Sequence, residues 1–489
     1  MQRTRKPWFW KLATGVVCLA AVLAALAYVA QVSGVRQQWQ AHTVGQLVRY
    51  TKRRLEGHTK LEWLAMQPLG YLVEHIERPV PIGPLPTLGK GFQSHSLARQ
   101  RYTPDGQPLQ ADPSAAPTAS SAKVWVASAD QLVQAIRTAK AGQTIEIEPG
   151  SYTVGERIDT GAAGSKDQPI TVRASQPGQV TLEFTMLEGF IVAHPFWVFE
   201  NLHIRGICKN HGDCEHAFHI VGGARSTVVR NNLIEDFNAH IKVNGQDGVW
   251  PDAGLLQFNT ITNTRVRDTD APVSLVDIVG ADQWRVVDNI ISNFVKGEGN
   301  QISYGAFMKG AGRGGHIERN LVVCTTQNIS QPGERVGLSF GGGATGAGYC
   351  RDQRCESEHT AGIVANNIVA HCNDLGIDTN HAVDIWITHN TLVNTSGIGM
   401  RGASEGIRVY GNILDGGILQ RDGSTGQHDM NEEGLLTRWM VQPDALQLGW
   451  RRSPDNIPSL RQVPTDFCGQ KRLDGTPPGA LVNASACAP

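Results

Sequence analysis

The chain is poor in charge. Only 18% of its 489 residues are charged, and 44 Lys and Arg against 45 Asp and Glu leave a net charge of -1. That balance provides no broad basic face, which excludes a protein that grips nucleic acid through its phosphates. Disorder is excluded as well, because a chain that stays unfolded combines low hydrophobicity with high net charge, and here 40% of residues are hydrophobic. No two cysteines stand in a CxxC spacing, the usual mark of a structural zinc site. The Gly-rich stretches 310–315 and 341–343 are not followed by Lys-Ser/Thr, so neither is a phosphate-binding loop.

One long apolar run is present. Arg3, Arg5, Lys6 and Lys11 precede a charge-free segment from Leu12 to Ala30, about the 20 residues a helix needs to cross a bilayer. The basic flank should stay in the cytoplasm, so the expectation is a single-pass inner-membrane anchor with everything after Gly34 exported to the periplasm or cell exterior. The alternative is a cleaved signal peptide ending at Tyr28-Val29-Ala30. Cys18 follows Val16-Val17 and lacks the small residue of a lipidation site. Leaving Cys18 aside, the nine cysteines reduce to an even eight, which in an exported chain suggests disulfides. Pairing near neighbours gives Cys208–Cys214, Cys350–Cys355 and Cys468–Cys487, with Cys324–Cys372 joining stacked coils; metal binding is the alternative, and spacing alone does not fix the connectivity.

Four regions follow: 1–34 as basic flank and anchor, 35–120 as stalk and linker, 121–430 as the main domain and 431–489 as a C-terminal cap. Val44, Leu47, Val48, Leu55 and Leu61 recur at helical spacing among basic residues, and Pro79, Pro81, Pro84 and Pro86 end the pattern. Residues 103–120 are an Ala/Pro/Ser linker. Ser128 with Gln131 three residues on forms a capping box before the apolar stripe Leu132, Val133, Ile136 and Ala139. An alternating strand from Thr144 to Ile147 and a turn at Pro149-Gly150 come next.

From there a repeat decides the fold. An Asn followed by aliphatic residues recurs at Asn201, Asn232, Asn259, Asn289, Asn320, Asn367, Asn390 and Asn412, spaced by 31, 27, 30, 31, 47, 23 and 22 residues. Such a period marks a solenoid whose coils bury their apolar faces only by stacking. The predicted fold is all-β, a right-handed parallel β-helix with an N-terminal capping helix, preceded by a transmembrane helix and helical stalk. Asn tolerates the left-handed backbone of a turn, and stacked amides can bond from coil to coil, so the Asn series reads as structural. The spacing of 47 is either one coil with a long loop at 328–360 or two coils.

The segments Ala129-Asp130-Gln131-Leu132, Ala141-Gly142-Gln143-Thr144-Ile145-Glu146-Ile147, Gly150-Ser151-Tyr152 and Lys166-Asp167-Gln168-Pro169-Ile170-Thr171-Val172-Arg173-Ala174 resemble the opening of chondroitinase-B-like polysaccharide lyases, which include alginate lyases within the pectate-lyase-like β-helix superfamily. The resemblance covers about residues 124–205. It implies the fold, and an acidic polysaccharide as partner. It also implies a catalytic lysine on a later strand, for which Lys309 in Phe307-Met308-Lys309 is the match. Family members place acidic calcium ligands a few residues before that lysine. Here those positions read Ile302, Ser303 and Tyr304, with Glu298 the nearest carboxylate, and no Arg stands near Phe340-Gly341-Gly342, where the family's catalytic Arg would fall. Calcium stays open as a cofactor, and no metal site is assigned.

Aligning the coils on their Asn turns exposes a second strand in each, and polar side chains at matching places would form one exterior stripe of Lys242, Asp277, Lys309, Asp378 and Arg401. It is either a solvated face or a groove for a charged glycan. A lyase on uronic acids removes the C5 proton beside the carboxylate and expels the C4 oxygen, which takes a base and a cation. Lys309 is the first base candidate and Lys242 the second, with His240 beside it on the opposite face. Arg313, His316 and Arg401 are candidate cations, and Asp277, Asp378, His316 and His240 candidate substrate contacts. His211, His216 and His219 cluster around Cys208 and Cys214, as a metal site or as part of a disulfide loop. Polygalacturonase and mannuronan-epimerase motifs are missing from the sequence, and Asp268 with Asp270 is the remaining carboxylate pair. The expectation is an envelope-anchored lyase that cleaves an acidic glycan by β-elimination; the rival is a non-catalytic carbohydrate-binding or structural β-helix.

Overall fold

The computed structural model describes residues 122–327, 333–342, 345–473 and 475–483. The expected anchor, stalk and linker lie outside them. Among the described residues no helix is long and apolar enough to cross a membrane.

The Ser128 cap forms as the sequence implies, while the return bond from Gln131 goes to Ala127 N, one residue before the cap. The Ser128 hydroxyl accepts from Gln131 N at 3.2 Å, and the Gln131 side chain accepts from Ala127 N at 2.8 Å. The helix Ala129–Arg137 that follows buries Leu132, Val133, Ala135 and Ile136, closing the first coil. Beyond it the chain winds through three parallel sheets. The first, of 12 strands, runs from Lys123–Val126 to Gly426–Asp429; the second, of 11, from Gly150–Val154 to Glu432–Glu433; the third, of 10, from Ile158–Asp159 to Gly417–Gln420. Each strand pairs with its counterpart one coil away, which is the connectivity of a parallel β-helix.

The coils are locked together by a buried carboxamide ladder between the first and second sheets. Asn259 donates its backbone N–H and its amide to Asn289 Oδ1, Asn289 does the same to Asn320, and Asn320 to Asn367, at 2.9–3.0 Å. The series starts at Asn232 and ends at Asn431, which the repeat search missed. Asn201 does not belong to it. It occupies the left-handed residue one place earlier (φ 64°), like Asn231 and Asn366, and Leu202 N fills the ladder position. Asn320 bonds Asn367 directly, so the 47-residue spacing is one coil with an insertion.

Inward rows such as Phe218, Ile241, Val276, Leu338, Ile377 and Ile398 are fully buried. The C-terminal segment, expected as an end cap, packs along the flank: Leu436, Trp439, Met440, Leu448 and Phe467 share a cluster with Ile290, Leu321, Ile368 and Val393 on the outer side of the second sheet. Cys208–Cys214, Cys324–Cys372 and Cys350–Cys355 are disulfides. Cys468 is disulfide-bonded too, and Cys487, its expected partner, lies outside the described residues.

Two predictions follow from these buried polar groups. Asn320→Ala removes the acceptor used by Asn289 and the donor to Val286 O and Asn367. It is expected to cost on the order of 3 kcal/mol, since buried partners left unsatisfied are each costly; an unchanged denaturant midpoint would contradict it. Burial also holds the imidazoles of His240 and His359 down to about 3, below their unfolded value near 6.5. The unfolded chain therefore binds more protons between those limits. Stability is fullest above about pH 6.5 and falls as pH drops through that window, by up to about 1.4 kcal/mol per pH unit for each group. His359→Gln, which can still accept from Gly315 N, should flatten the slope in pH-resolved denaturation.

Candidate functional site

The third sheet carries the candidate site on its outer face. Side chains alternate faces along each strand, and the register places His219, Lys242, Asp277, Phe307, Ser339 and Asp378 in one outward row. Lys309 is not in that row. It stands two residues on, opposite Val279, in a second outward row that also holds Asn244, Asn380 and Arg401. The predicted stripe is thus two parallel rows, and Phe307 fills the place in the first where a lysine was expected.

Charge in these rows is mostly neutralised in place. Lys242 Nζ lies 2.6 Å from Asp277 Oδ2. Arg401 reaches Asp378 through Nε at 3.1 Å and Nη2 at 2.8 Å, and its side chain also bonds the Tyr304 hydroxyl. Asp378 is fully buried, and burial pushes its carboxyl above the usual range, against the pull of Arg401. Lys309 differs: no carboxylate pairs with it among the described residues, and its ammonium sits 4.4 Å from the Phe307 ring centroid, within cation–π range. Gly342 leaves room for its stem, since a Cβ there would come within 3.1 Å of Lys309 Cδ.

Tyr304, which sequence reasoning passed over, packs edge-on against Phe307 at 5.0 Å. Burial, then the charge of Asp378, raises its hydroxyl and keeps it a phenol. Strict alternation from Lys309 and Phe307 leads to Gly305 rather than Tyr304, so no period along the strand marked it.

Loops border both edges of this sheet. Before its strands, buried Arg267 donates to Asn238 Oδ1 at 2.9 Å and to His211 O at 3.1 Å, while His211 Nδ1 accepts from Asp268 N at 2.8 Å. After its strands, Arg351 in the stapled insertion holds Asp252 at 2.7 Å and lies over Trp250. Glu358 accepts from Gly310 N at 2.8 Å and Thr345 N at 3.1 Å, anchoring the insertion beside Lys309. Tyr349 on it is 78% exposed, a free aromatic platform at the border of the face.

The remaining candidates lie elsewhere. His240 is completely buried, with its Nε2–H donating to Thr262 O at 2.9 Å, so it does not reach the outer face. His316 is on the first sheet, 2.8 Å from Glu318. Arg313 is exposed on a small side sheet, Gly312–Arg313 with His359–Thr360 and Ala382–Val383. The triple-histidine cluster separates: His211 serves its loop, while His216 and His219 gather instead around Glu188. At the family's calcium positions, Ile302 is aliphatic, Ser303 is buried and Tyr304 is a phenol; they supply no carboxylate and do not fit a calcium shell.

Residues 126–189 match the family described as Chondroitinase B. No curated protein matches it by sequence. Among solved structures it is similar to pectate lyase Pel9A at 13% identity and a TM-score of 0.48, covering 76% of this chain and 91% of that one. It is also similar to an alginate lyase from Paenibacillus sp. str. FPU-7 (13% identity, TM-score 0.35, 64% and 95% covered) and to a PL6 family polysaccharide lyase from Pseudopedobacter saltans (14%, 0.34, 70% and 98%).

The Asp378–Arg401 pair yields a pH signature. Arg401→Ala leaves Asp378 buried without its cation, so the native carboxyl keeps its proton to higher pH than the unfolded one. Stability then falls as pH rises. The variant should lose more of its denaturation midpoint at about pH 8 than at about pH 5; an equal loss at both would contradict it.

Proposed function

We propose that this protein is a polysaccharide lyase that cleaves a uronic-acid-containing glycan by β-elimination, with the outer face of the third sheet as its substrate groove. The observation that carries the reading is Lys309, a lysine with no carboxylate partner among the described residues, set over an aromatic ring between two neutralised ion pairs. A base for the C5 proton must present a neutral amine at the moment of transfer, and Lys309 is the amine that no carboxylate holds among the described residues. Lys309 takes the C5 proton. Arg401, held in place by Asp378, offsets the charge that builds on the adjacent carboxylate, and Lys242 and Asp277 contact the chain further along. The match to the Chondroitinase B family at the start of the helix supports the same assignment. No step is routed through calcium.

The protein is read as held at the inner membrane by residues 1–34, with the β-helix exported. The disulfides support export, because such bonds persist in oxidising compartments. The second reading, a glycan-binding protein without activity, draws support from the lack of an Arg near Phe340-Gly341-Gly342.

A panel of uronic acid polymers followed by ultraviolet absorbance of the unsaturated product separates the two. The lyase gives absorbance with at least one polymer, and Lys309→Ala lowers kcat by at least about a hundredfold, the scale of general-base catalysis, with KM little changed. Binding without absorbance for every polymer establishes the second reading, and full activity in Lys309→Ala removes the assigned base.

A further inference from the structure

The third sheet carries a second constellation at its N-terminal end, two coils before Asp277. Glu188 opens the strand Glu188–Val192, and His216 and His219 lie on its neighbour His216–Val221. One ligand atom from each of the three lies within 4.8 Å of the others. We propose that Glu188, His216 and His219 form a binding site for a divalent transition-metal ion, zinc foremost, distinct from anything the lyase chemistry requires.

The argument rests on how the two imidazoles are held. His216 Nδ1 lies 2.9 Å from Ala239 O. A carbonyl only accepts, so Nδ1 carries the proton and Nε2 is left with a lone pair. His216 is buried, and that lone pair makes no hydrogen bond among the described residues; the nearest carboxylate, Glu215, is 3.9 Å from it. His219 is gripped on both sides, Nδ1 at 2.6 Å from Glu188 Oε1 and Nε2 at 2.7 Å from Asn244 Oδ1. A metal ion would take the place of the His219–Glu188 hydrogen bond, held by Nδ1 and Oε1 once these atoms part from 2.6 Å to roughly 3.3 Å, the span of two tetrahedral bonds of about 2 Å, while Nε2–H keeps its bond to Asn244. Each histidine then donates its outer N–H to a protein oxygen, the arrangement that orients metal-ligating histidines.

Two nitrogens and one carboxylate oxygen suit zinc or a neighbouring first-row ion rather than calcium or magnesium. Three protein ligands leave a fourth position. The His219 and Glu188 side chains are each 22% exposed, so that position can be reached from solvent. His219 stands beside Lys242 in register. The nearby charges are Arg157, 3.8 Å from Glu188 Oε2, Glu215, and Lys242, which is neutralised by Asp277. This site stands whether or not the lyase reading does.

The test uses the full chain in detergent, stripped with a chelator and titrated with zinc ion by calorimetry and with cobalt(II) ion by visible absorption. Saturable zinc binding is expected, with the intense ligand-field bands of low-coordinate cobalt and a rise in thermal midpoint on loading. His219→Gln and Glu188→Gln should abolish both the bands and the rise, whereas His211→Gln, removing the third histidine of the sequence cluster, should keep them. X-ray absorption of the loaded wild-type chain should show imidazole scattering, a readout that does not depend on any variant folding. No saturable binding, scattering without imidazole, or binding unchanged in His219→Gln would overturn the site.

Discussion

A single buried carboxamide per coil sets the register on which everything else depends. Each ladder Asn uses its oxygen for the N–H groups of the coil before it and its amide for the coil after and for a carbonyl of the first sheet. The side-chain period of a strand is two, so a slip of one residue would turn an inward row outward. Because the ladder bonds are buried and polar, such a slip would leave donors and acceptors unmet on both sides, which is costlier than any loss of apolar contact at the same place. The composition of the outward rows is therefore a consequence of the ladder, although the two lie on different faces.

On that fixed lattice, both the first and the third sheets carry ionisable groups on their outer faces, the first in pairs such as Arg173–Glu146 and Arg230–Glu200. Opposite charges one coil apart neutralise each other, as in Lys242 with Asp277 and Arg401 with Asp378. Lys309 faces an aromatic ring instead of an anion. Toward the start of the same sheet stand Glu188, His216 and His219, whose imidazoles are aimed by outer hydrogen bonds. The bordering loops are tied by Arg267 on one edge and by Arg351 and Glu358 on the other, so the face is framed by rigid elements.

Much of this was legible in the residues. The Asn period, the Ser128–Gln131 box and the aliphatic strands carry local signals, because turn, cap and strand chemistry depend on neighbours a few positions away. The stripe was legible in membership, since Lys242, Asp277, Asp378 and Arg401 do share a face, but not in alignment. Counting from the Asn turns put Lys309 level with Asp277, whereas the strands place Phe307 there. The turn between the second and third sheets varies in length from coil to coil, so an offset measured from one turn does not carry across the next. His240 and His316 fail as groove residues for other reasons: His240 is buried against Thr262 O, and His316 belongs to a strand of the first sheet.

By itself the sequence determined that the chain coils, where each coil turns, and which cysteines are near enough in sequence to pair, for these follow from short-range geometry and from a repeat visible in one dimension. Only the tertiary structure decided that Glu188 meets His216 and His219, that Tyr304 packs against Phe307 within reach of the charges of Asp378 and Arg401, and that the C-terminal segment lies along the second sheet. Those contacts join residues from different coils or from an unrepeated segment. Their distances are set by the stacking of strands and by packing on a flank, and no spacing along the chain encodes them.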